Sequence, residues 1–232
     1  MPEHFINLLD ELLRRSLRMA SAVEDMLLEA CEAVTYANHE IARRIIARDD
    51  DIDAEEVAIE AEALRLMTLF QPMGSDMRRL CTILKVNNDL ERIADCAVNI
   101  AERAYHVNAD EMEDARRDLK SIYPSIRRMV HDVVHAYATA DKEVSERVRG
   151  QDEAIDAFYG QFVRKIVAEA EKSPDAMDAH LDILSIAKNL ERIADLACNI
   201  AEDVIYLVTG QIVRHRAAAG PAAETSRVPN RS

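Results

Sequence analysis

The stretch LERIADCAVNIAE at residues 90–102 recurs as LERIADLACNIAE at residues 190–202. The two copies differ only where Cys96 and Val98 are replaced by Leu196 and Cys198. A further set of matches lies upstream at an offset of 103 rather than 100: Glu40, Arg44, Asp49, Ile52 and Asp53 recur as Glu143, Arg147, Asp152, Ile155 and Asp156. Self-similarity at a fixed period is the signature of a repeated structural unit. The chain is therefore interpreted as one unit present twice.

The composition is that of a helical protein. Of the 232 residues, 49% are apolar, and only 5 are Gly and 6 are Pro. Straight-chain residues such as Leu, Glu and Arg lose little rotamer freedom in a helix, and they are abundant here. The apolar fraction also allows a core of normal size. We therefore predict an all-α fold.

Hydrophobic periodicity divides the first copy into three helices. Apolar residues keep helical spacing from about residue 4 to 48, which predicts an unusually long first helix. A shorter helix over about 52–70 ends before Pro72, and a third over about 75–107 follows Gly74. Short connections make successive helices antiparallel neighbours, so this copy is predicted to be a three-helix bundle.

The second copy repeats the pattern, with helices predicted near 111–149, 152–171 and 175–209. Pro124 either kinks the fourth helix or marks its first turn, and the sequence leaves both possibilities open. The predicted fold is two tandem, pseudo-symmetric three-helix bundles.

The chain is thus divided into a first repeat at residues 1–108, a second repeat at 109–210 and a tail at 211–232. The tail carries small residues, prolines and several arginines without an apolar period, so it is predicted to be disordered.

Charge and hydropathy exclude several classes of function. The formal net charge of -14 opposes attraction to nucleic acids or anionic lipid surfaces. No stretch reaches the roughly 18 apolar residues that a membrane span requires, and the first residues contain acids where a signal peptide is apolar. We expect a cytoplasmic protein that neither binds nucleic acid nor inserts into a membrane.

Acidic side chains share one face of the third and sixth predicted helices. At about 100° per residue, oxygen-bearing side chains lie within one sector in each copy: Glu91, Asp95, Asn99 and Glu102 in the first, and Glu191, Asp195, Asn199 and Glu202 in the second. Two further carboxylate pairs with a spacing of four residues are assigned to the second and fifth predicted helices: Asp49 with Asp53, and Asp152 with Asp156. Each copy therefore has two acidic motifs on segments that a short connection keeps close in space.

Such faces have two interpretations. Aligned carboxylates repel one another, and a bound cation would reverse that repulsion. Oxygen ligands favour hard ions such as Mg²⁺, Mn²⁺, Ca²⁺ or iron. An acidic stripe on a long helix is also common as a simple solvated face, but here the acids persist between two copies whose intervening residues have changed. The sequence leaves metal binding and solvation open.

Other metal-ligand residue types are interpreted as structural. The four cysteines form no C-x-x-C pair and lie among apolar residues, which is typical of core positions. Cys198 falls on the acidic face, yet its counterpart is Val98, which favours packing. His131 and His135 have the spacing of a two-histidine metal site, but their counterparts are Leu28 and Glu32.

The residues Asn88 to Asp95 and Asn99 to Glu102, with their repetition from Asn189 to Glu202, closely resemble the signature of the PhoU family. The resemblance extends over about residues 5–209 and includes the two-copy organisation. It implies two similar three-helix bundles whose acidic motifs bind multinuclear iron or other divalent ions in some relatives. The implied ligands are Asp49, Asp53, Glu91 and Asp95 in one copy and Asp152, Asp156, Glu191 and Asp195 in the other. Asn99, Glu102, Asn199 and Glu202 are supporting candidates.

The resemblance also implies a function and partners. It implies a negative regulator that links the phosphate ABC transporter, through its ATP-binding subunit, to the sensor histidine kinase of the phosphate-starvation response. It also implies a homodimer, as many similar family members are. Family motifs often have Gly at the positions of Ala94 and Ala194, and His at those of Cys96 and Leu196. These departures leave the fold expectation intact but bear on which metal is bound.

Two other hypotheses compete with a non-enzymatic regulator. A di-metal carboxylate enzyme would need Glu-x-x-His on two helices, whereas the chain offers only the related Asp132-x-x-His135, and only once. A metal-free helical scaffold would leave the acids as solvated faces.

Overall fold

The structure, a computed structural model, describes residues 3–106 and 112–213. The described residues form eight α-helices: α1 (Glu3–Tyr36), α2 (His39–Ile46), α3 (Asp49–Phe70), α4 (Ser75–His106), α5 (Glu113–Thr139), α6 (Lys142–Arg149), α7 (Asp152–Ala170) and α8 (Met177–Thr209). A single 3-10 turn at Pro174–Ala176 precedes α8. No residue in these two ranges lies in a β-strand. The prediction of an all-α protein built from two pseudo-symmetric bundles is confirmed.

The prediction of one uninterrupted first helix in each bundle is wrong. Helix α1 ends at Tyr36 because Ala37 adopts a left-handed conformation, with φ of 48°. Asn38 then caps α2, its side chain accepting hydrogen bonds from the backbone amides of Glu40 and Ile41. The second bundle repeats the same break. Ala140 has φ of 54°, and the Asp141 carboxylate accepts a 3.0 Å hydrogen bond from the Val144 amide.

The remaining predicted boundaries hold to within a few residues. Helix α3 begins at Asp49 rather than 52, and the 3-10 turn delays the start of α8 to Met177. Pro124 lies inside α5, eleven residues after Glu113, so it does not mark the first turn of that helix. The predicted boundary at 108/109 and most of the predicted tail, residues 214–232, lie outside the described residues.

The two bundles share one hydrophobic core. Buried residues of α1, α4, α5 and α8 form a single cluster that runs through both repeats. The repeated-motif helices α4 and α8 pack against each other at its centre, while α1 also contacts α5 across the repeats. Because both bundles bury their apolar faces in a common core, either repeat without the other would expose apolar core residues to solvent.

Polar contacts also join the two repeats. The buried hydroxyls of Ser16 and Tyr137 lie 3.1 Å apart between α1 and α5. Between α4 and α8, Lys85 Nζ donates a 2.8 Å hydrogen bond to Asp203 Oδ1, and the Asp203 side chain is only 3% exposed. A buried carboxylate is costly unless it is paired, so this contact specifies how the repeats meet.

We expect Leu90→Ala to destabilise both bundles together. Leu90 is fully buried on α4, and a cavity at such a leucine costs about 2–5 kcal/mol. Denaturant unfolding followed by circular dichroism should show one transition with a lowered midpoint. Leu64→Ala is the matched control, because Leu64 is 49% exposed on α3. Two separate transitions, with only one shifted, would contradict a shared core.

Candidate metal centres in the two repeats

Each repeat contains one cluster of carboxylates. It lies where α3 contacts the motif helix α4 in the first repeat, and where α7 contacts the motif helix α8 in the second. We call the two clusters the first centre (Asp49, Asp53, Glu91 and Asp95) and the second centre (Asp152, Asp156, Glu191 and Asp195). Asp49 is the first residue of α3 and Asp152 the first residue of α7. Because α3 packs against α4 and α7 against α8, the carboxylates of each pair of helices meet at the contact. The structure therefore brings together the two acidic motifs of each copy, as the sequence predicts.

The second centre is the more compact. One carboxylate oxygen from each of Asp152, Asp156 and Asp195 lies within 4.8 Å of the other two. Within residues 3–106 and 112–213 these are the only three potential metal ligands that converge so closely. Partial burial, together with the neighbouring Glu191, Asp152 and Asp156, raises the pKa of Asp195 to about 6. Three such oxygens form a concentrated negative site that a cation would neutralise.

The first centre shows the same mutual repulsion. Burial raises the pKa of Asp49, and the charges of Asp53 and Asp95 raise it further. Burial also raises the pKa of Glu91, and the charges of Asp95 and Asp53 raise it further. For Asp95, burial and Asp53 raise the pKa, whereas Arg192 from the other repeat opposes the increase. The first centre is thus a second negative site, partly balanced by an arginine of the opposite bundle.

Corresponding buried oxygens have no partner in the two centres. Asp49 Oδ1 and Asp152 Oδ1 are both buried, and neither has a hydrogen-bond partner among the described residues. These two residues are equivalent in the repeats. An unsatisfied buried carboxylate oxygen is costly, and a coordinated cation would satisfy it. The donor set of carboxylate oxygens fits hard ions of the Mg²⁺, Mn²⁺ or iron type.

The four supporting candidates lie beside the centres in different ways. The Asn99 side-chain amide donates a 2.8 Å hydrogen bond to the backbone carbonyl of Asp95, and Glu102 adds to the unfavourable charge at Asp49. Asn199 and Glu202 line a cleft of about 620 Å³ between α4 and α8, together with Asp152 and Asp195. The second centre therefore faces an open cavity shared by both repeats.

Two basic residues at the second centre escaped the sequence prediction. Lys188 Nζ contacts Glu191 Oε2 at 2.5 Å, and Arg149 Nε lies 3.2 Å from Glu202 Oε1. Their counterparts in the first repeat are the uncharged Asn88 and Ile46. A position-by-position comparison of charge between the two copies could have revealed both.

Cys198 also belongs to the second centre. All four cysteines are free, and Cys31 and Cys96 are buried in the core as expected. Cys198 instead lines the cleft together with Asp152, and its thiol donates a 3.9 Å hydrogen bond to the Val148 carbonyl oxygen. Burial raises the pKa of Cys198, and the charge of Asp152 raises it further. Packing alone therefore does not describe its environment.

The two histidines lie elsewhere. His131 Nδ1 is 3.1 Å from Glu24 Oε1, in a groove between α1 and α5, and His135 is exposed on the same helix. Both are separate from the α3–α4 and α7–α8 contacts that hold the centres.

This fold and these sites define a class: an internally duplicated α-helical protein with one acidic centre in each repeat. The chain belongs to the PhoU family, because the PhoU domain model matches it twice, over residues 16–104 and 119–204. The predicted family is confirmed.

Relatives and solved structures agree along most of the chain. The phosphate-specific transport system accessory protein PhoU homolog of Caulobacter vibrioides is 33% identical over 195 residues, covering 84% of this chain and 85% of the relative. The homolog from Aquifex aeolicus is 33% identical, covering 90% of this chain and 94% of the relative. The crystal structure of PhoU from Pseudomonas aeruginosa matches with a TM-score of 0.86 at 32% identity, over 89% of this chain and all of that one.

A second crystal structure, of the phosphate transport system regulatory protein PhoU from Streptococcus pneumoniae, matches with a TM-score of 0.84 at 28% identity, over 90% of this chain and 99% of that one. These relatives are named as accessory or regulatory proteins rather than enzymes, which agrees with the predicted absence of catalysis. No described helix of this chain is both long and apolar enough to cross a membrane.

We expect the stability of the metal-free protein to fall as pH rises between the ordinary carboxyl pKa and about 6. In that window the unfolded Asp195 loses its proton while the folded one retains it, so the free energy of unfolding decreases. Asp195→Asn should then raise the melting temperature of chelator-treated protein at neutral pH by about 2–4 °C, corresponding to ~1 kcal/mol after solvent screening.

At about pH 3 the difference should shrink, because the Asp195 carboxyl is then largely protonated in both the folded and the unfolded protein. Glu11→Gln, an exposed change on α1, serves as the control. An Asp195→Asn protein that melts with the wild type at both pH values would disprove the repulsion.

Proposed function

We propose that this protein is a non-catalytic regulator of phosphate transport and phosphate signalling that acts in the cytoplasm. The observation that supports this best is the match of the PhoU domain to both repeats. The relatives that align with most of the chain are named as accessory proteins of the phosphate-specific transport system. The proposed activity is negative control of phosphate uptake and of the phosphate-starvation response.

The proposed partners are the ATP-binding subunit of the phosphate ABC transporter and a phosphate-sensing histidine kinase. A protein with extended helical faces can relay the state of one partner to the other by contact, without a chemical step. The net charge of -14 favours protein surfaces with basic patches over nucleic acid. We further propose that the working form is a homodimer.

The two centres are proposed to bind a divalent metal or iron, with Fe, Mn and Mg as the candidates. The ligands would be the eight carboxylates of the first and second centres. A bound ion would supply the positive charge that offsets the repulsion at Asp49 and Asp195 and would give the buried oxygens a partner. It would thereby fix α3 against α4, and α7 against α8, in the shape that partners recognise.

A di-metal enzyme is disfavoured by the position of the histidines. The oxidase-type bundle needs Glu-x-x-His motifs whose histidines share the carboxylate site. His131 instead contacts Glu24, and His135 lies on the same outer region of α5. The metal-free scaffold remains the competing hypothesis, and metal addition distinguishes it.

Addition of Mn²⁺ to chelator-treated protein should raise its melting temperature. At a free concentration near one hundred times the dissociation constant, binding stabilises by ~2.7 kcal/mol, or about 5–10 °C for a chain of this size. The variant Asp49→Asn, Asp53→Asn, Asp152→Asn, Asp156→Asn should show no increase. An equal increase in this variant, or none in the wild type, would favour the metal-free scaffold.

Expression of a phosphate-starvation reporter in high phosphate tests the regulatory proposal. We expect deletion of the gene to switch the reporter on and the wild-type gene to restore repression. The variant Glu91→Ala, Asp95→Ala, Glu191→Ala, Asp195→Ala, at normal abundance, should fail to restore it if the centres carry the signal.

A reporter that stays off after deletion would refute negative control. Full repression by the quadruple variant would separate the regulatory function from the acidic centres.

A further inference from the structure

The outer face of α3 carries an exposed apolar stripe. The inner face of this helix is buried in the core through residues such as Ile59 and Leu66. On the opposite face, exposed residues alternate at spacings of three and four, which is the heptad pattern of a helix that packs against another helix. These residues, which we call the α3 stripe, are Ala54, Val57, Ala61, Leu64 and Thr68. Helix α3 therefore has two packing faces, and the core covers only one of them.

The α3 stripe is absent from the second repeat. At the offset of 103, Ala61 and Thr68 correspond to the exposed, charged Arg164 and Glu171 on and after α7, and Val57 corresponds to Gly160. The apolar face is therefore a feature of α3 and not a consequence of the repeated fold.

A groove lies beside the α3 stripe, between α1 and α3. It has a volume of about 420 Å³, and its apolar lining consists of Leu8, Leu12, Ala58 and Ala61. The charged residues around it are mostly paired with one another. Arg15 forms an ion pair with Glu55, and Arg65 Nη2 lies 2.6 Å from Glu62 Oε1. This face is thus apolar and nearly neutral, although the chain has a net charge of -14.

The α3 stripe and the groove are complementary to each other across a two-fold axis. When two α3 helices run antiparallel with the axis at Ala61, each residue meets the one that lies equally far on the other side of position 61. Leu64 then meets Ala58 in the groove of the other molecule, and Thr68 meets Ala54. Larger side chains therefore face alanines, as ridges do when they pack into grooves, and symmetry makes every contact twice.

Charge favours the antiparallel direction. Helix α3 begins with Asp49, Asp50 and Asp51, whereas its last turn carries no charge. A parallel pairing would place the aspartates of two molecules side by side, and like charges in such positions repel. The antiparallel pairing places each acidic helix start beside the uncharged helix end of the other molecule.

The face is large enough for a specific interface. The 22 residues of α3 span about 33 Å at 1.5 Å per residue. With α1 beside it at the usual spacing of packed helices, the two-helix face covers roughly 600–700 Å². Specific dimers bury about 600–1,000 Å² of each partner.

We propose that the α3 stripe and the α1–α3 groove form the interface with a second molecule of this protein, in a two-fold dimer whose α3 helices pack antiparallel about Ala61. This inference rests on the homodimer proposed above and names its interface. A second molecule fits better than a basic partner protein, because basic surfaces are drawn to unpaired carboxylates and most carboxylates around this groove are already paired.

The first test is the mass of the full-length protein in solution, measured by sedimentation equilibrium over a range of concentrations. We expect twice the 26.1 kDa of one chain. Leu64→Glu should weaken the dimer at least about thirtyfold, the effect of losing a central interface residue, because each molecule then places a carboxylate in the groove of the other. Leu64 is 49% exposed and Glu is a good helix former, so each molecule keeps its fold, which circular dichroism verifies.

Val167→Glu is the matched control. Val167 occupies the equivalent position on α7 and is 47% exposed, so the substitution has the same chemistry and similar exposure but lies outside the proposed interface. It should leave the dissociation constant of the dimer unchanged.

The second test is cross-linking by introduced cysteines. Under mild oxidation Ala61→Cys should form a disulfide-linked dimer, because its two thiols meet at the axis. Thr68→Cys should not link to itself, since position 68 and its symmetry equivalent are about 21 Å apart. A mixture of Thr68→Cys and Ala54→Cys proteins should link, because these positions face each other. The wild type, whose four cysteines are free, gives the background.

The outcomes separate this interface from the homodimer itself. A dimer that survives Leu64→Glu, or that Ala61→Cys does not link, overturns the α3 interface and leaves the homodimer standing. A wild type that stays monomeric at every concentration overturns both. If that monomer binds the purified ATP-binding subunit of the transporter and Leu64→Glu abolishes the binding, the face belongs to that partner and not to a second molecule.

Discussion

The contact between α4 and α8 organises the rest of the molecule. Leu90, Ile93 and Ile100 on α4, with Leu190 and Ile193 on α8, are buried in the common core. Each motif helix packs its apolar face against the other repeat. Its acidic face therefore lies toward α3 in the first repeat and toward α7 in the second. The same repeated sequence therefore creates both the shared core and the two separate centres.

The centres are unfavourable features that this core makes possible. Asp49 and Asp152 begin helices α3 and α7, where the helix dipole favours a negative charge. Their pKa values are nevertheless raised, since burial and the neighbouring acids outweigh that benefit. Natural proteins retain such local conflicts mainly at functional sites, because the surrounding packing can sustain their cost. The repetition of this conflict in both bundles supports a role for the acids beyond solubility.

The sequence predicts what depends on local pattern and misses what depends on long-range or left-handed geometry. Motif spacing predicts the acidic faces, and the end of α3 at Phe70 and of α8 at Thr209 follows from Pro72 and Gly210. The breaks at Ala37 and Ala140 were hidden because alanine is the best helix former, although Asn38 and Asp141 are good caps at equivalent positions. The contact of Arg149 with Glu202 became evident only in the structure, because it joins α6 and α8, whereas Lys188 and Glu191 lie three residues apart on α8.

The two repeats differ in the charged residues at their contact in a way that favours pairing of one repeat with the other. Arg103 of the first copy is equivalent to Asp203 of the second. Each of the two forms an ion pair across the interface between the repeats. Arg103 pairs with Asp182 at 3.2 Å, and Asp203 pairs with Lys85 at 2.8 Å. In a pairing of two first repeats, Lys85 would instead face Arg103, and like charges at such a contact disfavour association. The unlike repeats are therefore electrostatically matched to each other. The chain keeps its acids in both repeats while the contact between the repeats has become specific. It therefore holds two related centres in a fixed arrangement in which the two repeats cannot be interchanged.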